Sequence, residues 1–127
     1  MYKDIFTVFY FGSSGNFIMN ILAYYQKSKQ HINFNIDLTN SDIENLKNLG
    51  FSKIKLTEFQ IRDLKALLRL SNGANFSVQG SGKTAVTLAT HLILRDNKKT
   101  NVNSLLVVSP KNAFLGWEDG FNECLDD

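Results

Sequence analysis

The chain has 127 residues, of which 43% are apolar and 20% charged. That balance excludes a disordered tail and suits one compact domain or part of a larger one. Fourteen basic against 12 acidic side chains leave a net charge of +2, too mild to indicate a nucleic-acid partner without clustering.

Lysine supplies most of the positive charge, and Asn is abundant, which fits coding bias as readily as chemistry. The single cysteine, Cys124, can form no internal disulfide. A reducing, intracellular setting is therefore expected. The apolar run Ile5 to Phe11 is too short for a membrane span and lacks the flanks of a signal peptide.

Residues 5 to 11 are β-branched and aromatic throughout, the pattern of a strand buried on both faces. Gly12 to Gly15 turn the chain. Phe17, Ile18, Ile21, Leu22 and Tyr25 then fall on one helical face. His31 to Asp37 alternates apolar and polar residues, as a half-buried strand does. Ser41 and Glu44 form a capping-box pattern at a helix start, and Gly50 is placed to end that helix. Residues 1–54 are thus expected to form a small mixed α/β unit, and no catalytic constellation stands out in it.

A second unit is expected over 55–127. Thr57 caps a helix carrying Ile61, Leu64, Leu67 and Leu68 on one side, and Ser71, Asn72 and Gly73 break it. Ala74 to Val78 is a short candidate strand leading into Gln79-Gly80-Ser81-Gly82-Lys83-Thr84. The next helix extends to about Arg95 with Ala85, Leu88, Ala89 and Leu92 inward. A polar loop over 96–103 and an apolar strand, Ser104 to Val108, follow, stopped by Pro110. Phe114, Trp117, Phe121 and Cys124 mark a last helix. That order implies a parallel sheet.

The glycine loop carries the chemistry. A triphosphate is held by consecutive backbone amides at a helix N-terminus, where the helix dipole adds to the attraction. Glycines let the backbone approach the phosphates. Here Gly80 and Gly82, with Gln79 and Ser81, form the cradle. Lys83 is placed for the β- and γ-phosphates of ATP, and Thr84 for Mg2+. Ser77 stands where the full Walker A pattern has its first glycine, so a chance Gly-rich turn is the competing explanation. The candidate strand before the loop and the helix after it favour phosphate binding.

With these residues in view, the chain resembles the superfamily-two helicases and Swi/Snf-type translocases over about residues 55–125. Ser77 to Thr84 is similar to their motif I, which tolerates a small residue in place of the first glycine. Leu56-Thr57-Glu58-Phe59-Gln60 resembles their aromatic-glutamine element, which implies that Gln60 reads adenine. Thr57 and Gln60 also form a capping box, so Gln60 could simply cap its helix. Leu105 to Asn112, followed by Trp117, resembles motif Ia, which implies that Ser109 and Lys111 touch a nucleic-acid backbone. An ordinary strand-ending turn explains the same residues, and Trp117 belongs to the apolar stripe of its helix.

The resemblance implies a partial RecA-like P-loop NTPase lobe with parallel strands, truncated after motif Ia. The implied ligands are ATP and Mg2+, and the implied partner is nucleic acid, chiefly double-stranded DNA, with no membrane involved. An intracellular location, cytoplasmic or nucleoid-associated, follows. The strand ending in Asp-Glu that hydrolysis requires is not found after the loop, and the second lobe is missing too. The chain is expected to be a fragment of a larger motor with negligible ATPase of its own. A degenerate nucleic-acid-binding or interaction module, or another P-loop enzyme such as a kinase, remains open.

Overall fold

The computed structural model describes residues 5–10, 35–70, 73–100 and 102–126. The expected turn at 12–15, the helix from Asn16 to Lys29 and the first part of the strand at 31–37 lie outside them. So do the side chains of the first strand.

The described elements, in chain order, are β1 (Ile5–Tyr10), α1 (Asn40–Asn45), α2 (Glu58–Leu68), α3 (Lys83–Asp96), β2 (Leu105–Pro110), a 3-10 turn (Lys111–Ala113) and α4 (Phe114–Cys124). β1 and β2 pair in parallel, with Ile5 opposite Leu105 and Tyr10 opposite Pro110. A two-stranded parallel pair is common to many α/β folds and does not distinguish among them.

Helix α1 departs from expectation at its start. Thr39, not Ser41, is the N-cap, and Asp42 replaces Glu44 as its partner. The Thr39 amide donates to the Asp42 carboxylate at 2.8 Å, and the Asp42 amide donates to the Thr39 hydroxyl at 3.2 Å. Both residue pairs have the required spacing, and the Thr39–Asp42 pair is the one that closes the capping box. After α1 the chain turns to Gly50, which has φ +96°. The Phe51 amide reaches Leu46 O at 2.9 Å and the Gly50 amide reaches Lys47 O at 3.2 Å. This is a Schellman closure with Gly50 in the left-handed position, and Phe51 and Leu46 supply its apolar contact.

Residues 35–37 form no strand. The Ile36 amide instead donates to Leu68 O at 3.0 Å, so this segment closes the end of α2. Residues 74–78 form no strand either. No described strand lies alongside to supply a ladder, and Phe76 and Val78 are 93% and 78% exposed. β2 forms as expected but runs on through Pro110. It buries Val107 and Ser109 while exposing Leu106 and Val108. It is covered on one face.

The core joins Leu46, Phe51 and Leu56 to Leu64 and Leu68 of α2, to most of the inward face of α3, and to Cys124 and Leu125 at the end of α4. Packing therefore crosses residue 54, as does the β1–β2 pairing. The chain end is pinned as well. The Asp126 amide donates to Gly50 O at 2.9 Å, and Lys53 Nζ donates to Asn122 O at 3.2 Å. Among the described residues, no helix is long and apolar enough to cross a membrane.

Candidate phosphate-binding site

Helix α2 supports the loop from one side. Thr57 adopts extended backbone as N-cap, Glu58 sits in the first turn and Lys65 in the last, each matched to the helix dipole. Leu64 and Leu68 are fully buried on its inner face. The outer end of this helix then meets the loop through two side chains, Gln60 and Asp63.

Gln60 uses both ends of its amide. Its Oε1 accepts from the Thr57 amide at 2.9 Å, the capping role. Its Nε2 donates to Ser81 O at 3.0 Å, tying the helix to the glycine loop. Asp63 accepts from Ser77 Oγ at 3.2 Å, and the Ser77 amide donates to Asn75 Oδ1 at 3.0 Å. Ser77, the residue in place of the first Walker glycine, is thus anchored by hydrogen bonds.

The loop itself is a pair of left-handed glycines. Gly80 and Gly82 both have φ +80°. Between them the Ser81 amide closes a turn onto Val78 O at 3.2 Å. A Cβ on Gly82 would fall 2.3 Å from Gln60 Nε2, whereas a Cβ on Gly80 would meet nothing within 4 Å. The left-handed backbone favours glycine at both positions, and a side chain at Gly82 would also displace the Gln60 amide.

Gly82 is also the N-cap of α3, and the Val86 amide makes the bond to Gly82 O, at 3.1 Å. The amides of Lys83, Thr84 and Ala85 precede it and have no partner within the helix. They carry the positive end of the helix dipole, the arrangement that binds anions. Lys83 Nζ is folded onto the loop, donating to Ser77 O at 2.7 Å and Val78 O at 3.0 Å. Among the described residues the enclosed Ser81 hydroxyl has no hydrogen-bond partner, the kind of orphan that a bound anion or water satisfies.

No family model, curated protein or solved structure matches the chain. What the site can do is carried by its geometry and residue chemistry.

The structure brings Gln60, Gly80, Ser81, Gly82, Lys83 and Thr84 together at one helix end, with Gln79 exposed at the tip of the loop. Ser109 and Lys111 are separated by their exposure. Ser109 is buried on the covered face of β2, so Pro110, Lys111 and Asn112 form the surface of that turn. Asp63, Asn75 and Gly120 were not singled out in the sequence. No local signal separated Gly120 from Gly116 on the same helix, since a Cβ would meet Thr84 at Gly120 and nothing within 4 Å at Gly116. A separate hollow lined by Asp37, Asp42, Asn45, Asp96 and Asn97 has no Lys or Arg in its wall and would repel phosphate. Among the described residues no group of three or more His, Cys, Asp or Glu side chains converges to hold a metal ion.

Proposed function

We propose that residues 77–84 bind the phosphates of ATP, and that the chain is the N-terminal part of the first RecA-like lobe of a helicase or Swi/Snf-type translocase. The observation that carries this is the pairing of two left-handed glycines with three helix amides that lack intrahelical partners, and a lysine held on the same loop.

The residues present fit ATP and Mg2+. The loop amides and the α3 dipole would hold the phosphates. Lys83 would exchange two neutral carbonyls for phosphate oxygens, a stronger charge-assisted pairing. The Thr84 hydroxyl would ligate Mg2+, which when bound screens phosphate charge. Gln60 would read adenine only by giving up one of its two present hydrogen bonds. Hydrolysis would need carboxylates and a second lobe from elsewhere. The exposed apolar residues Leu106, Val108, Phe76 and Val78 offer surface for further motor elements to cover. Lys111 is the candidate contact to a DNA backbone. Such a motor works inside the cell, in the cytoplasm or at the nucleoid.

The test is fluorescence anisotropy of a labelled duplex with the protein, with and without ATP and Mg2+. A motor fragment shows DNA affinity that shifts with ATP and loses the shift in Lys83→Ala. Salt-sensitive binding that ATP leaves unchanged would instead indicate a non-catalytic DNA-binding module.

A further inference from the structure

Helix α4 meets the phosphate loop at a glycine. A Cβ on Gly120 would fall 2.5 Å from Thr84 Cγ2, far inside van der Waals contact, and 3.3 Å from Thr84 Cβ, a tight contact. Gly116, one turn earlier on the same helix, would meet nothing within 4 Å. The two glycines therefore differ in kind. Gly116 faces open space, while Gly120 is the point at which the helix sits on Thr84.

Thr84 is distinct among its neighbours too. Thr87 and Thr90 return their hydroxyls to Lys83 O at 2.9 Å and Val86 O at 2.7 Å. No hydrogen bond from another described residue engages the Thr84 hydroxyl. A β-branched side chain has few χ1 wells in a helix, and threonine divides between two of them. With Cγ2 seated against Gly120, a change of well would drive a different atom into α4.

We propose that Gly120 is a positioning residue for Thr84: the seat of α4 holds the Cγ2 methyl and so aims the hydroxyl at the Mg2+ that accompanies ATP. This rests on the phosphate-loop function proposed above. It also joins two parts of the molecule. The 3-10 turn Lys111–Ala113 runs directly into α4, so a shift of that turn moves the helix that seats Thr84.

The test is calorimetric ATP binding, with excess Mg2+ and with EDTA, for the wild type, Gly120→Ala, Thr84→Ser and the double variant. Serine lacks Cγ2 but keeps the hydroxyl. Gly120→Ala is expected to lose about 10- to 100-fold of the Mg2+-dependent gain in affinity, with affinity in EDTA unchanged. Thr84→Ser in the Gly120→Ala background is expected to restore most of that gain. Equal weakening with and without Mg2+, or no recovery in the double variant, would assign Gly120 to packing alone and overturn the proposal. If Gly120→Ala does not fold, the double variant decides: folded with Mg2+-enhanced binding supports the seat, and unfolded overturns it. A wild-type protein that binds no ATP would remove the phosphate-loop function itself, and this inference with it.

Discussion

Gln60 shows how one side chain can satisfy two sequence patterns at once. Its carbonyl caps α2 and its amide nitrogen holds Ser81 O. Glutamate would keep the acceptor for the Thr57 amide but place a carboxylate against the Ser81 carbonyl. Gln60→Glu is therefore expected to keep the cap but cost about 1 kcal/mol through the lost Ser81 bond, while ATP affinity falls severalfold. Gln60→Ala should lose both, with a stability cost of about 2 kcal/mol. Thermal melts and calorimetry read the two effects separately. A Gln60→Glu protein that melts as early as Gln60→Ala but binds ATP normally would reverse this assignment. The capping half of Gln60 was legible because it spans three residues. The Ser81 half spans 21 and depends on how α2 meets the loop, which no local pattern encodes. Cys124 is a simpler case. Burial, and secondarily the charge of Glu123, push its thiol up from the ordinary value, so less thiolate is present at any given pH. Alkylation near pH 8 should be slow in the native protein and fast in denaturant, and equal rates would contradict its burial.

At the scale of elements, α2, α3 and α4 form where expected, and of the four expected strands those at 5–11 and 104–108 form while residues 35–37 and 74–78 do not. Leu64 and Leu68 of α2, and Ala85, Leu88, Ala89 and Leu92 of α3, are buried as their spacing requires. Helix periodicity is local, and a buried face announces itself. A strand needs a partner, and the segment at 74–78 has no described one. Helix α3 ends at Asp96, one residue from the expected Arg95. Thr100 looked like a surface-loop residue, yet it is buried, with its hydroxyl donating to Leu94 O and, at 2.9 Å, to Asn97 O. Helix α4 offers a clean sign test. Gly116 is exposed with free space around it, so Gly116→Ala should stabilise the protein by about 0.5–1 kcal/mol through helix propensity. The same substitution at Gly120 should destabilise it. Thermal melts that moved in the same direction for both would remove the contact with Thr84.

Across the whole molecule, one core connects residues from Leu46 to Leu125, and β1 pairs with a strand 100 positions further on. The sequence placed a division at residue 54 because composition and motif content change there. Packing does not stop at that point, since Leu46, Phe51 and Leu56 fill the same interior as α2 and α3. The glycine loop of the proposed phosphate site was the most legible feature, because its residues lie within eight consecutive positions. Its supports, Gln60, Asp63 and Gly120, come from distant parts of the chain. The most direct measurement is calorimetric titration of the wild type and Lys83→Ala with ATP and Mg2+. Saturable binding to the wild type, lost in a folded Lys83→Ala protein, is the expected result. A folded wild type that takes up no ATP, or a variant that binds equally well, would contradict the assignment of residues 77–84 as a phosphate cradle.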